Sequence, residues 1–308
     1  MAGGAPVAAS SLLGNRRGIC FGIGVIYNMH TTNEYPPVEV DNEIKGRLAL
    51  ITGASGGIGA ACARQLAAQG VHLALTYSSN LKSCQRLVDE LKSQPGNADL
   101  KITIHKADLS SIEETTALCP DVVKQHERAI DILVSNAGYG VRIQNVWEIP
   151  LEEFEHTINV NLRATFLLVK GVVEGMRDQR WGRMIFISSI AAYGAGINGC
   201  REWSFSVVTV VSDWLTGLDY AASKGGLQSM MKNLSSRLAP YNISVNDVSP
   251  AMVGSTGLLP SADSVPGVVD NIPLQRLCAP EEVANVVLMY AKTGFATGQS
   301  LVVGGGLR

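Results

Sequence analysis

Short apolar runs alternate with amphipathic stretches along most of the chain, and this alternation predicts strands and helices in turn. Residues 48–51 are wholly apolar and lead through a glycine-rich turn into an alanine-rich helical pattern at 60–68. Residues 71–77 read as a second strand, and 81–93 as a helix ended by Gln94-Pro95-Gly96-Asn97. A third strand is expected at 100–106, then a helical stretch at 111–128 interrupted near Pro120, then an almost wholly apolar strand at 130–135. Further strands are expected at 184–188, 243–248 and 300–303. Strands that are apolar on both faces belong in a parallel sheet covered by helices on both sides. Right-handed crossovers then give an α/β fold with a single doubly wound parallel sheet, whose ligands lie at the carboxyl ends of the strands.

At 308 residues the chain is long enough for one substantial core, and the unbroken β-α alternation favours one domain over two. A net charge of −2 leaves no electrostatic footprint for nucleic acid. Cys20, Cys62, Cys84, Cys119, Cys200 and Cys278 show no C-x-x-C or metal spacing, so they read as buried small apolar side chains in a reducing compartment, with no metal site. No apolar run approaches the ~20 residues that span a bilayer. The first 33 residues lack acids and carry Arg16-Arg17 before an apolar stretch. Residues 1–45 are therefore set apart as an extension, either a tail or a targeting segment. A cytoplasmic location is expected, or a mitochondrial one if 1–33 act as a transit segment.

Candidate chemistry begins at Thr52-Gly53-Ala54-Ser55-Gly56-Gly57-Ile58-Gly59, between the first strand and the first helix. Gly53 permits the tight turn, Gly57 lets the backbone approach a pyrophosphate, and Gly59 allows the helix to pack closely on the strand. The same residues spell G-x-S-x-G, the nucleophile elbow of a hydrolase. That reading needs a late histidine, and the last one is His156. Just past the strand ends come Asp108 and Leu109, then Asn136-Ala137-Gly138, Ser188-Ser189 and Pro250-Ala251-Met252-Val253. Tyr220 and Lys224 are four apart and share a helical face. A lysine beside a phenol, together with the positive charge of an oxidised nicotinamide, is expected to lower the phenol pKa toward working pH.

Cofactor choice is read at the end of the second strand, where NAD-preferring sites carry an acid about 20 residues beyond the glycines. Here that window holds Tyr77, Ser78, Ser79 and Asn80, with Lys82 nearby. No carboxylate repels a 2′-phosphate there, which favours NADPH (NADP+) over NADH.

Through TGASGGIG, Asn136-Ala137-Gly138, Asn161, Ser189 and Tyr220-x-x-x-Lys224, residues 46–308 resemble the short-chain dehydrogenase/reductase family, a Rossmann-type domain. The tail 272–276 and 297–299 look most similar to 3-oxoacyl-[acyl-carrier-protein] reductases, which implies a carbonyl-reducing step of fatty acid biosynthesis. The resemblance implies Tyr220 as general acid, Lys224 as its pKa tuner and ribose anchor, Ser189 as donor to the carbonyl, and Asn161 as holder of a relay water. It also implies Ser255 as a cofactor contact and a homodimer or homotetramer. Leu258, Leu259, Pro260 and Val265 are candidates for an apolar pocket roof. Arg142, Arg177, Arg180 and Arg183 are candidates for receiving a carrier protein.

The chain departs from the family pattern between Ser189 and Tyr220, which are 31 apart because of an apolar insert at about 198–217. The insert is either a lid or translated non-coding sequence. Three functions are therefore weighed: an NADPH-dependent ketone reductase, a nucleotide-binding homologue whose insert has impaired catalysis, and a secondary-alcohol dehydrogenase working in the oxidative direction.

Overall fold

The computed structural model describes residues 39–141, 143, 145–193, 217–264 and 267–307. The expectations for 1–38, for Cys20, Arg142, Cys200 and Val265, and for the inserted residues 198–216 lie outside the described residues.

Among the described residues the apolar runs form seven parallel strands: β1 (Leu48–Ile51), β2 (His72–Tyr77), β3 (Ile102–Lys106), β4 (Ile132–Ser135), β5 (Gly182–Ile187), β6 (Ile243–Pro250) and β7 (Ser300–Val303). Their order in the sheet is β3-β2-β1-β4-β5-β6-β7. Every residue of β1, β4, β5 and β6 is buried, as befits strands covered on both sides. The helices are α1 (Gly57–Ala67), α2 (Leu81–Ser93), α3 (Ile112–His126), α4 (Leu151–Ile158), α5 (Ala164–Asp178), α6 (Leu218–Leu238) and α7 (Pro280–Ala291).

Two apolar layers fill the space between sheet and helices. One joins Ile51, Leu73 and Ile185 to Leu66 of α1 and Val287 of α7; the other joins Leu50, Leu133 and Phe186 to Leu168 of α5 and Met231 of α6. Chain direction across the sheet reverses between β1 and β4, so a crevice opens beyond the carboxyl ends of these two strands.

One sequence expectation needs correction. Pro120 does not interrupt its helix: α3 runs through it with Pro120 exposed. Thr116, whose carbonyl loses its amide partner to Pro120, is also an exposed residue. The residues just before 46 also pack on the domain. Ile44 is buried in the core, and the Asp41 carbonyl accepts from Trp181 Nε1 and Arg183 Nη2, each at 3.0 Å.

Candidate active site

The turn after β1 is held open by hydrogen bonds to neighbouring strand ends. Thr52 Oγ1 accepts from the backbone amides of Asn136 and Ala137, both at 3.0 Å, and Asn136 Nδ2 donates to the Thr52 carbonyl at 2.8 Å. The Gly53 amide donates to Thr76 Oγ1 on β2 at 3.1 Å. Gly53 and Gly57 have φ of +65° and +52°, which side-chain-bearing residues rarely adopt. At Gly59 a Cβ would lie 2.4 Å from the Gly53 carbonyl oxygen and 2.7 Å from Asn136 Nδ2, so only glycine lets α1 start this close to β1.

Among the described residues, the N-terminus of α1 has no side-chain cap and no acid in its first turn, and a Cβ at Gly56 would meet nothing within 4 Å. Uncapped amides facing open space, with the helix dipole behind them, fit a pyrophosphate.

The crevice has a volume of about 800 Å³. Gly53, Ser55, Gly57 and Ile58 line it, with Ser78, Ser79 and Asn80 beyond β2, and Asp108 and Leu109 beyond β3. Asn136, Ala137 and Gly138 follow from β4, Ser189 from β5, Tyr220 and Lys224 from α6, and Pro250 and Val253 from β6. Leu258 and Leu259 close one side.

Tyr220 is 7 % exposed, and its hydroxyl is hydrogen-bonded to that of Ser189. Its ring is seated against Gly140, where a Cβ would come within 2.8 Å of Tyr220 Cδ2. Lys224 is buried, its Nζ 5.4 Å from the Tyr220 ring centroid and donating to the Ile187 carbonyl at 2.8 Å. Burial pushes the phenol up to about 12, opposed by the Ser189 hydrogen bond, and pushes the Lys224 ammonium down to about 8, opposed by Asp247. The expected lowering of the phenol by the lysine is thus not present in the protein alone, because desolvation dominates both groups.

Several expected residues stand elsewhere. Asn161 is 1 % exposed in a five-residue π-helical turn and lies behind the crevice wall. Its amide donates to the Tyr139 carbonyl and Ser223 Oγ and accepts from the Tyr139 amide, so it fixes the strand-end loop and the catalytic helix together. Gly59 likewise supports the wall from behind. Tyr77 packs against the core and does not line the crevice.

Ser255 is exposed at φ +55°, its amide donating to the Pro260 carbonyl, and the hydroxyl-bearing wall residue is the neighbouring Thr256. Pro260 is exposed outside the crevice. Arg177, Arg180 and Arg183 sit at the amino end of β5, opposite the crevice mouth; Arg183 is 1 % exposed and Arg177 stacks over Tyr241. These three therefore lie away from the crevice entrance.

Thr52, Thr76, Gly140, His156 and Thr256 were not read from the sequence as site residues. The two threonines at strand ends carried a usable signal, since a hydroxyl next to a glycine turn satisfies its amides.

This sheet order, glycine turn and Ser-Tyr-Lys cluster match known proteins throughout. The family described as short chain dehydrogenase matches residues 47–201, and that described as Enoyl-(Acyl carrier protein) reductase matches 204–308. The 3-oxoacyl-[acyl-carrier-protein] reductase FabG of Rickettsia bellii is 34 % identical over 274 residues, covering 86 % of this chain and 98 % of its own. Among solved structures, a blue fluorescent protein from a metagenomic library in complex with NADPH superposes with a TM-score of 0.72 at 29 % identity, covering 86 % of this chain and 99 % of its own. A short chain dehydrogenase of Burkholderia cenocepacia in complex with NADP gives 0.72 at 26 % identity with the same coverage. The chain belongs to the short-chain dehydrogenase/reductase family. It is an NAD(P)-dependent oxidoreductase related to the 3-oxoacyl-carrier-protein reductases.

Proposed function

We propose that the chain is an NADPH-dependent ketone reductase acting on a 3-oxoacyl thioester or a similar apolar carbonyl compound. The observation that carries this reading is the hydrogen-bonded pair of hydroxyls, Tyr220 and Ser189, beside a buried Lys224 at the mouth of a glycine-rich crevice. The turn 53–59 would hold the pyrophosphate, and Ser78, Ser79 and Asn80, exposed and uncharged, would receive a 2′-phosphate without repulsion. Asp108, Leu109, Asn136, Ala137, Gly138, Pro250 and Val253 would line the remainder of the cofactor's path.

When held in this crevice, a nicotinamide cofactor would supply the hydride for the carbonyl carbon. Ser189 donates a hydrogen bond to the carbonyl oxygen, and Tyr220 gives its proton to the oxygen as alkoxide charge develops. A phenol pushed up to about 12 is protonated at neutral pH, the form from which reduction starts. Lys224 places a cation near the phenolate left behind. Asn161 acts through Tyr139 and Ser223, keeping the strand-end loop in register with α6. Met252, Leu258 and Leu259 offer an apolar wall suited to an acyl chain.

The test follows absorbance of NADPH, and separately NADH, across a series of ketones that includes 3-oxoacyl thioesters. Consumption of NADPH with an oxoacyl substrate supports the reading. Cofactor binding without turnover on any ketone points instead to an impaired homologue, and turnover only with secondary alcohols and NADP+ points to the oxidative enzyme.

A further inference from the structure

Asp247 lies in the middle of β6 with no exposed surface, and an ionised carboxylate so placed is costly unless something uses its charge. Strand alternation sets it with Ile243 and Val245 on the face that packs against α6. In the sheet it is in register with Phe186, next to Ile187, whose carbonyl accepts from Lys224 Nζ.

One carboxylate oxygen, Oδ1, accepts from Ser249 Oγ at 3.0 Å and from Ser300 Oγ of β7; Oδ2 is buried with no hydrogen-bond partner among the described residues. Ser300 Oγ is also met by Tyr193 Oη at 2.6 Å and by Gln228 Nε2 at 3.2 Å. Tyr193 ends the 3₁₀ turn that follows Ser189, and Gln228 lies one helical turn beyond Lys224. Ser300 and Asp247 thereby join the segment bearing Ser189 to the helix bearing Tyr220 and Lys224.

We propose that Asp247 is a positioning residue of the active site: anchored through Ser300 to Tyr193 and Gln228, it is the buried counter-charge that keeps Lys224 an ammonium. The inference rests on the catalytic reading of Lys224. Besides Lys224, the titratable groups that face this carboxylate among the described residues are Lys232 of α6 and Tyr290 of α7, while Tyr193 reaches it only through Ser300. Lys232 is exposed, which leaves Lys224 as the buried cation. Burial raises the Asp247 carboxyl, while the two serine hydroxyls and the lysines hold it down. The charge of Asp247 in turn opposes the desolvation of Lys224.

The experiment titrates the 15Nζ resonance of Lys224 by NMR in the full chain without substrate, the signal being assigned by its loss in Lys224→Arg. The wild-type midpoint is expected at about 8. In Asp247→Asn, which keeps the shape and an acceptor oxygen, it falls by about one pH unit or more, a tenfold loss of ammonium at a given pH. If Asp247→Asn does not fold, Ser300→Ala removes a hydroxyl that holds the carboxyl down, and it moves the midpoint the same way. A midpoint that stays put in the folded variant overturns the proposal. Because no substrate is present, a moved midpoint in a protein that reduces no ketone upholds this inference and removes the reductase reading, whereas an unmoved midpoint in an active reductase does the reverse.

Discussion

At the scale of single residues, the site depends on atoms approaching more closely than ordinary side chains permit. Gly59→Ala would place a methyl 2.4 Å from the Gly53 carbonyl, so α1 must shift away from β1. The expected loss is roughly 1–3 kcal/mol of stability, measured by chemical denaturation, together with a weakened NADPH complex measured by fluorescence titration. Ser79→Asp tests the reading of cofactor choice, since a carboxylate there would repel a 2′-phosphate. The ratio of kcat/KM for NADPH over NADH should fall by about tenfold or more, equivalent to ~1.4 kcal/mol. Glycines, hydroxyls and the Tyr-Lys pair were legible in the sequence because their types and spacing are the chemistry itself. The seat of Tyr220 on Gly140 was not, because it joins residues 80 positions apart. Nor was the exchange of Ser255 for Thr256, which follows from left-handed backbone at Met252 and Ser255 turning that loop.

Between elements, β3 and α3 are joined by a polar chain rather than by apolar packing alone. His105 Nδ1 meets Asp121 at 2.7 Å, and Thr103 Oγ1 bridges His105 Nε2 at 2.7 Å and His126 Nε2 at 2.8 Å. His126 is 6 % exposed with Nδ1 unpartnered, and burial, reinforced by Lys101 and neighbouring histidines, pushes it down to about 4. Its unfolded value is near 6.5, so the unfolded chain takes up a proton first as pH falls. Stability from this group is therefore complete above about pH 6.5 and is lost progressively toward pH 4. In thermal melts between pH 4.5 and 7, His126→Gln should show a flatter rise of Tm with pH than the parent; an equal slope would place the acid sensitivity elsewhere. The strands were readable from their apolar runs, whereas this contact was not, since periodicity says nothing about which polar groups meet across an edge. Pro120 misled for a related reason: its cost depends on whether the orphaned carbonyl reaches solvent, which only the packing of α3 decides.

For the molecule as a whole, strand order sets which end of each loop is available for chemistry. Segments following β1 to β6 reach one crevice, while Arg177, Arg180 and Arg183, which precede or open β5, are carried to the opposite end, a placement that depends on strand direction and not on charge. The same topology brings Ser189 and Tyr220 into contact although 31 positions separate them. Ligand binding at a site built from so many strand ends should stabilise the entire domain. At a concentration of 100 times Kd the gain is about 2.7 kcal/mol, so NADPH should raise Tm by several degrees, and NADH at the same concentration by less. In the proposed reaction Tyr220 protonates a carbonyl oxygen beside a cofactor it does not itself need to retain. The most direct measurement compares the parent and Tyr220→Phe for NADPH-dependent reduction of a 3-oxoacyl thioester and for the NADPH-induced Tm shift. With Tyr220 as the proton donor, kcat falls by roughly 10²–10⁴-fold while the shift is kept; turnover within a few-fold of the parent would rule out that role.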